Sequence, residues 1–457
     1  MNRTNFIKKI FFPLLLAIAV IASVFIALNR NKYNYKCPEC NVILVSIDTL
    51  RANLLSCYGY DKMTSPNIDK FREDSVLFRK CIAQAPSTLA SHASIFTSLI
   101  PSHHQASFAK MTALPKEVIT MTEVLKANGY ETISFNDGGQ LAPNFGLDQG
   151  FDLYRSSNKK KATLYFRDIV KSSIDWIVRN SEKKFFLFLH TYEAHSPYTP
   201  KKKYLDLFET NYSGDLPMHT TERIAQRINN GRIKITQEDT LHIINTYNAE
   251  IRSMDESFGV FIDFLKKKEL YDKTIIIFTS DHGEEFYDHG VMASHSHTLF
   301  DELLHIPLII KFANSKFASR EIENLVRSID MMPTLLDLVN IKIPENLEGV
   351  SLIPMIKGRG KNEDLFAISE RDMIETLQDE CWSIMYDKWK LYNSRLYDLE
   401  KDPFERIDIS SEHAELKTIL RKKAIQFIKQ IRITQQKEKV ELDETELEKL
   451  KALGYIK

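Results

Sequence analysis

Two short apolar runs, each followed closely by an acidic residue, place the strongest constraint on the fold. Asn41–Ile47 is followed by Asp48, and Thr274–Thr279 is followed by Ser280 and then Asp281. Both runs are continuous, rich in β-branched residues and bounded by polar residues, which is typical of strands buried on both faces. Ligands of open α/β sheets bind outside the carboxyl ends of the strands. The two acids are therefore candidates for a ligand site.

The residues that follow the second run favour a metal site. Asp281 is followed by His282 and Gly283, and a group of carboxylates and imidazoles comes next: Glu284, Glu285, Asp288, His289, His295 and His297. Carboxylate and imidazole together suit a divalent ion such as Zn²⁺ or Mn²⁺, and less often Ca²⁺. The alternative is a solvated polar loop after a core strand, and this stretch alone does not decide between the two.

Further apolar runs alternate with helical patterns along the chain. Strands are predicted at 131–135, 185–189 and 305–311, and helices at 163–179 and about 240–268. This alternation predicts an α/β fold with a mostly parallel sheet.

The pattern changes beyond Pro354. Short apolar runs there predict an antiparallel element, and a charged helix follows it: 365–368, 382–386, 389–392 and about 414–431. The tail at 434–448 is highly charged and is predicted to form a solvated helix. We therefore expect a large domain at 41–355 and a small α+β subdomain with a charged helical tail at 356–457.

An uncharged apolar segment stands near the start of the chain. It covers residues 10–28, follows two lysines, and is close to the roughly 20 residues needed to cross a bilayer. Because no small-residue cleavage site is clear, a retained transmembrane anchor is favoured over a cleaved signal peptide. The basic residues on its two sides decide little about orientation. We expect residues 1–9 on the cytoplasmic side, a linker at 29–40 and an extracytoplasmic domain, because a single N-terminal span commonly serves as a signal-anchor.

Charge and cysteine content argue against two classes of protein. The chain has 61 basic and 61 acidic residues, and no basic patch supports a nucleic-acid partner. Five cysteines do not make a disulfide framework, although Cys37 and Cys40 form a C-x-x-C motif just before the first strand. In an exported domain a local disulfide is expected there, since a zinc site would need a second pair of cysteines.

A second polar segment precedes a predicted helix. Leu89, Ala93, Phe96 and Ile100 recur at helical spacing, and Thr88 stands at the start of that pattern. The exposed amides and the positive dipole end of a helix N-terminus favour an anion, so a hydroxyl placed there can attack a substrate or hold an oxyanion. The alternative is that Thr88, or the serine before it, only caps the helix, and this stretch alone favours the cap.

A series of motifs covers nearly everything after the predicted anchor. They are Asn41–Arg51, Ser65–Asp69, Thr88–Thr97, Tyr247–Arg252, Phe278–Glu284, Asp330–Leu336, Leu396–Leu399 followed by Asp402-Pro403, and Leu450–Tyr455. In content and order they resemble the sulfatase-like part of the alkaline phosphatase superfamily. The resemblance implies a large mixed, mostly parallel sheet sandwiched by helices, with a catalytic domain at 41–355 and a subdomain that closes the site.

The resemblance also implies roles for individual residues. Asp48, Asp281 and His282 match metal ligands of the family, and the hydroxyl of Thr88 would complete the set around one divalent ion, with Zn²⁺ or Mn²⁺ favoured and Ca²⁺ possible. Thr49 stands where many relatives have a second acid.

The nucleophile block departs from that of true sulfatases. Theirs reads Cys-or-Ser, any residue, Pro, any residue, Arg, and its first residue is oxidised to formylglycine; here Thr88, Ala90 and His92 occupy the three defined positions. Oxidation of a threonine would leave a ketone instead of an aldehyde. Membrane-anchored phosphoethanolamine and phosphoglycerol transferases of the same superfamily use a threonine at this position. We therefore expect phosphoester chemistry through a metal-activated threonine in preference to formylglycine-type sulfate hydrolysis.

Several histidines resemble residues that contact the substrate. His195 and His295 resemble the substrate-binding or leaving-group histidines of the family, and either could protonate the departing oxygen. His92 is expected to hold the anion where an arginine would otherwise sit, more weakly and with a pH dependence. Three others could either support a metal ligand or be simply structural: His190, His289 and His297.

The expected function is that of a membrane-anchored, metal-dependent enzyme that hydrolyses or transfers sulfate or phosphate ester groups. Its substrate would be a sulfated or phosphorylated small molecule, glycan or lipid headgroup. The alternative is a catalytically degenerate relative that binds an anionic glycan or lipid headgroup, which the residues at Thr49, Ala90 and His92 motivate. Substrate choice is expected to depend on the loops 101–118 and 199–235.

Overall fold

The structure is a computed structural model that describes residues 35–157, 165–359, 365–371, 378, 381–430 and 439–456. The predicted anchor at 10–28 lies outside these residues. Among the helices of the described ranges, none combines the length and the apolar character needed to cross a membrane.

Strands and helices alternate through most of the described chain. The strands are β1 (Asn41–Ile47), β2 (Val76–Ile82), β3 (Glu131–Asn136), β4 (Leu153–Ser156), β5 (Phe185–Thr191), β6 (Thr274–Ser280), β7 (Glu285–Phe286), β8 (Met292–Ser294), β9 (His305–Lys311), β10 (Arg320–Arg327), β11 (Phe366–Glu370), β12 (Trp382–Tyr386), β13 (Trp389–Tyr392) and β14 (Arg395–Asp398). The α-helices are Pro66–Glu73, Thr88–Thr97, Pro101–His104, Met121–Ala127, Phe166–Asn180, Lys202–Leu205, Glu222–Asn229, Gln237–Lys267, Asp301–Leu304, Met331–Leu338, Ile353–Ile356, Ala414–Lys429 and Glu444–Ala452.

A large sheet forms the centre of the molecule. Its strand order is β10-β2-β9-β6-β1-β5-β3-β4. Neighbours are parallel except where β9 pairs antiparallel with β2 and with β6. The predicted α/β class with a large mixed, mostly parallel sheet is confirmed.

The apolar strands of this sheet face a hydrophobic core on both sides. In β1, Val42 and Leu44 belong to one cluster of buried side chains, and Ile43 and Val45 belong to another. The first cluster includes residues of the helix Thr88–Thr97, and the second includes the apolar face of the long helix Gln237–Lys267. Because helices cover both faces, the central strands have no solvent-facing positions, which explains their uninterrupted apolar sequences.

A second, antiparallel sheet forms the C-terminal part. Its strand order is β11-β12-β13-β14, and the helix Ala414–Lys429 packs on it through Leu420, Ala424 and Ile428. This agrees with the antiparallel element and the charged helix expected after Pro354. The domain limits at residue 355 remain a prediction.

Several elements differ from the expectation or were not expected. The strands β2 and β10, which pair at the edge of the large sheet, were not predicted. They carry charged residues such as Arg79, Lys80 and Glu321, so their sequences resemble polar loop segments. The helix in the tail is Glu444–Ala452, and its side chain Leu450 is fully buried. The tail predicted as a solvated helix, 434–448, overlaps this helix only at 444–448. Residues 434–438 lie outside the described ranges, and the buried Lys449 and Leu450 follow the predicted range.

The C-x-x-C motif forms the local disulfide that was expected in an exported domain. Cys37 and Cys40 are joined by a disulfide directly before β1.

Candidate active site

The centre of the large sheet brings three chain segments to one place. β1 lies between β5 and β6 and is parallel to both, so the carboxyl ends of these strands meet at one edge. Asp48 follows β1, His190 lies near the end of β5, and Asp281 follows β6. The side chains of all three are fully buried. The two acids that follow the apolar runs thus lie beside each other.

Asp48, Asp281 and His282 offer a set of metal-ligand atoms. One donor atom from each lies within 4.8 Å of the others. The other polar atoms of two of these residues are already fixed: Asp281 Oδ1 accepts a hydrogen bond from the His282 amide at 2.9 Å, and His282 Nδ1 donates to the Gly283 carbonyl at 2.9 Å. Within the described residues, Asp48 Oδ1, Asp281 Oδ2 and His282 Nε2 are buried without a hydrogen-bond partner. Buried polar atoms are rarely left unpaired, so these three fit ligation of an ion.

The electrostatics of the cluster also favour a cation. Burial, and then repulsion by Asp281, raise the pKa of Asp48 well above its usual range. Two carboxylates without a counter-ion are costly in a buried place, and a divalent cation between them reverses the sign of that interaction. With two carboxylates and one imidazole, the donor set suits Zn²⁺ or Mn²⁺.

Thr88 lies next to this cluster as the first residue of its helix. Its hydroxyl donates a hydrogen bond to Asp48 Oδ2 at 3.1 Å. The Ser87 side chain makes no capping hydrogen bond, and the amide of Leu89 at the helix N-terminus donates instead to Gln140 Oε1 at 3.0 Å. The Thr88 hydroxyl is therefore directed at the acid cluster and not at the helix amides.

His92 lies one helical turn beyond Thr88 and faces the protein interior. Its Nδ1 is 2.8 Å from the Thr88 carbonyl, and its Nε2 is 3.0 Å from Ser46 Oγ. A second possible metal group, with His190 and Asp281, also includes this imidazole. Burial lowers the pKa of His92, so the ring is neutral. In this arrangement both of its nitrogens are engaged with the protein, and neither faces the cavity.

His195 and His295 lie together beside the acid cluster. Their ring centroids are 5.0 Å apart, and the His295 ring lies 4.6 Å from that of His282. His295 Nδ1 is 3.0 Å from Glu284 Oε1, which fixes the orientation of the ring. His195 Nε2 has no hydrogen-bond partner in the described chain. Burial and the neighbouring His295 lower the pKa of His195 to about 3, so an uncharged imidazole faces the space where a substrate would bind.

A cavity of about 640 Å³ opens in front of these histidines. Its wall includes His195 and His295, the guanidinium-bearing Arg371, and the aromatic rings of Phe108 and Tyr455. One cation, two imidazoles and apolar surface are suited to an anionic group on a partly apolar or sugar-like body.

The remaining histidines of the polar segment pair with buried carboxylates. His289 Nδ1 is 2.7 Å from Glu302, and His297 Nε2 is 2.8 Å from Glu285. His190 Nε2 is 3.3 Å from Asp48 Oδ2 and helps to orient that carboxylate.

Three residues of the site were not singled out by the sequence. Gln140 and Arg371 come from segments without a recognisable pattern. Tyr455 belongs to the motif Leu450–Tyr455, so its position in the resemblance was the one available signal.

Comparisons with known proteins agree on one family. A family model described as "Sulfatase" matches residues 40–341, and one described as "N-sulphoglucosamine sulphohydrolase, C-terminal" matches residues 287–439. Arylsulfatase K of Rattus norvegicus is 24% identical over 429 residues, which cover 82% of this chain and 76% of that protein. An uncharacterized sulfatase, YidJ of Escherichia coli, is 25% identical over 414 residues, which cover 80% and 82%.

Solved structures with the same fold include a phosphonate monoester hydrolase and a protein with a sulfated substrate. The phosphonate monoester hydrolase of Agrobacterium radiobacter matches with a TM-score of 0.68 at 20% identity, covering 84% of this chain and 95% of that one. A protein in complex with its substrate D-glucosamine-2-N,6-O-disulfate matches with a TM-score of 0.68 at 19% identity, covering 87% and 100%.

Metal should stabilise the folded protein. After chelator treatment, adding Zn²⁺ or Mn²⁺ is expected to raise the unfolding midpoint, because an ion that binds only the folded state adds about 2.7 kcal/mol at a hundredfold excess over Kd. Asp281→Asn should abolish this rise, whereas Asp206→Asn, at an exposed carboxylate, should keep it. Differential scanning calorimetry measures both. The ligand assignment is wrong if Zn²⁺, Mn²⁺ and Ca²⁺ all leave the wild-type midpoint unchanged.

Gly283→Ala should disrupt the loop that carries His282. A Cβ at this position would lie 1.9 Å from the Glu302 carbonyl oxygen, so the backbone must move. We expect a loss of about 3 kcal/mol in the free energy of unfolding and weaker metal binding.

Gly290→Ala is the matched control for this glycine. A Cβ added at Gly290 would meet open space. The substitution should therefore lower the free energy of unfolding only by the cost of a left-handed φ of +101°, about 1–2 kcal/mol. Denaturant unfolding with and without Zn²⁺ compares the two. Equal losses and equal metal responses would contradict the steric argument.

Proposed function

The chain belongs to the sulfatase family, and we propose that it is a metal-dependent enzyme that hydrolyses or transfers sulfate or phosphate ester groups with Thr88 as the nucleophile. One observation carries the proposal. The Thr88 hydroxyl lies 3.1 Å from Asp48 in a cluster whose three candidate metal-ligand atoms, one each from Asp48, Asp281 and His282, are buried without a hydrogen-bond partner. A threonine that only capped its helix would direct its hydroxyl at the helix amides.

Each residue of the cluster has a part in the proposed reaction. Asp48, Asp281 and His282 would hold a divalent ion, which when bound would supply Lewis acidity to the hydroxyl and to the group that is transferred. Before the reaction, Asp48 accepts a hydrogen bond from the Thr88 hydroxyl, so that a lone pair of Oγ1 points away from the carboxylate. The helix N-terminus behind Thr88 favours the negative charge of the substrate.

The proposed displacement has two halves. In the first, Thr88 Oγ1 gives its proton to Asp48 and forms a bond to phosphorus or sulfur while the bond to the leaving oxygen breaks. His195 or His295 gives a proton to that oxygen, because the approach of an anion raises the proton affinity of a buried imidazole. In the second half, water or another alcohol gives a proton to the same histidine and bonds to phosphorus or sulfur. The bond to Thr88 Oγ1 breaks, and that oxygen takes back its proton from Asp48.

The threonine favours phosphoester chemistry. A formylglycine requires a primary alcohol or a thiol that can be oxidised to an aldehyde, and a threonine side chain has a secondary alcohol. The likeness to a phosphonate monoester hydrolase supports a phosphorus centre, while the arylsulfatase relatives and the glucosamine disulfate complex support a sulfated one. We propose a sulfated or phosphorylated small molecule, glycan or lipid headgroup as substrate, with its anion directed at Thr88 and its body in the cavity.

We further propose that residues 10–28 anchor the enzyme in a membrane with the catalytic domain on the extracytoplasmic side. The apolar length of this segment supports the proposal, and so does the disulfide Cys37–Cys40 shortly after it, since disulfides persist in oxidising compartments.

Replacing the nucleophile tests the function directly. In the full chain, Thr88→Ala should lower kcat for p-nitrophenyl phosphate or bis-p-nitrophenyl phosphate by roughly a thousandfold or more, because it removes the proposed nucleophilic oxygen. Thr88→Ser keeps the hydroxyl and should retain measurable turnover. p-Nitrophenyl sulfate is assayed in parallel to compare the two ester classes.

The control is a threonine in the same helix. Thr97→Ala removes a buried hydroxyl that bonds to the Ala93 carbonyl and should leave kcat close to that of the wild type. Full turnover by Thr88→Ala would overturn the proposal. Absence of turnover on every ester, together with no bound metal, would instead support the binding-only alternative.

A further inference from the structure

The segment 443–456, hereafter the C-terminal segment, ends inside the candidate active site. The hydroxyl of Tyr455 lies 3.0 Å from Thr88 Oγ1. Its ring centroid is 5.3 Å from that of His195 and 5.8 Å from that of His295, and on another side it packs against Phe108 at 5.5 Å. Tyr455 therefore contacts the proposed nucleophile and both proposed proton donors at once.

Two features of the helix in this segment fix its position. The helix Glu444–Ala452 begins with a capping box, in which Asp443 accepts a hydrogen bond from the Glu446 amide at 2.8 Å. Lys449 reaches into the main domain and pairs with Asp137 at 2.9 Å, with both side chains almost fully buried. A buried ion pair is strongly destabilised when one partner leaves, so this contact resists detachment of the segment.

The turn after the helix directs Tyr455 inward. Gly454 has a left-handed φ of +83°, and the Tyr455 amide donates to the Leu450 carbonyl at 2.9 Å. Leu453 is buried against Gly139, where an added Cβ would lie 2.9 Å from the leucine side chain. Each of these contacts limits where the tyrosine ring can lie.

The hydrogen-bond pattern shows which oxygen is the donor. The Thr88 hydroxyl has one proton, and that proton is donated to Asp48. With that proton directed at Asp48, the hydroxyl of Tyr455 is assigned as the donor to Thr88 Oγ1, which accepts through a lone pair. A donor at this position lies beside the atom on which charge changes during displacement, where a hydrogen bond is stronger than between neutral groups.

We propose that Tyr455 is a catalytic residue, whose hydroxyl orients Thr88 Oγ1 for attack and stabilises the negative charge that develops there. This inference rests on the proposed role of Thr88 as the nucleophile. No proton leaves the tyrosine in this role, because its O–H remains a donor throughout. The ring forms part of the cavity wall and leaves about 640 Å³ in front of His195 and His295, so the segment completes the site and does not fill it.

Tyr455→Phe in the full chain is the test, because it removes one oxygen and keeps the ring. With p-nitrophenyl phosphate or bis-p-nitrophenyl phosphate, kcat/KM should fall about 10-fold to 100-fold, mainly through kcat, since the hydrogen bond matters most in the transition state. Direct titration calorimetry should show weaker binding of orthovanadate by a similar factor and little change for inorganic phosphate. The unfolding midpoint should stay within about 3 °C of the wild type.

Tyr130→Phe is the matched control. Its hydroxyl bonds to the Cys40 carbonyl far from the site, and its loss should leave kcat/KM and vanadate binding unchanged. If Tyr455→Phe keeps kcat/KM within twofold of the wild type while Thr88→Ala is inactive, this inference fails and the nucleophile stands. If Thr88→Ala is fully active, the proposed function itself fails.

A truncated variant that ends at Gly454 tests whether the C-terminal segment assists turnover or blocks the active site. It keeps the ion pair between Lys449 and Asp137 and so retains the anchoring of the helix. Turnover at or below that of Tyr455→Phe agrees with a donor role. Turnover above that of the wild type would show that the segment blocks the site, which overturns the inference.

Discussion

The parallel pairing of β1 with β5 and β6 is the constraint on which the site depends. It places Asp48 and Asp281 beside each other in a buried region, an arrangement that is unfavourable unless a cation or a proton offsets the charge. Further contacts hold the two strand ends together: the Thr49 amide is 3.3 Å from Asp281 Oδ1, and Arg51 donates to the Glu284 carbonyl at 3.1 Å. The fold therefore stabilises a cluster that electrostatics alone would separate.

The central strands could be predicted from the sequence because burial on both faces leaves a local signal. β1 and β9 begin and end where their apolar runs do, and the resemblance to the sulfatase-like family is confirmed by the family match. The strands β2 and β10 left no such signal. Both combine apolar positions with charged ones, and their pairing at the sheet edge is decided by contacts between distant segments.

Some residues of the candidate site could be predicted from the sequence and others could not, again according to whether the signal is local. Asp48, Asp281 and His282 lie directly after strands, so the sequence could bring them together by topology alone. The expectation for His92 rested on alignment with an arginine, and sequence gives no means to see that its two nitrogens are held by Thr88 and Ser46. The local sequence around Thr88 favoured a helix cap, whereas in the structure its hydroxyl contacts Asp48, a residue 40 positions away.

Tyr455 shows the limit of local inference most clearly. It lies 367 positions from Thr88 in sequence, shortly after the charged tail at 434–448. Just after that tail, Lys449 pairs with the buried Asp137 in the main domain, a contact that no local charge pattern reveals. Since the removal of one partner from a buried ion pair costs about 3–5 kcal/mol, the docking of the segment is coupled to the folding of the domain that receives it. The surroundings of Thr88 therefore combine Asp48, which follows the first strand, with Tyr455 from the last described part of the chain.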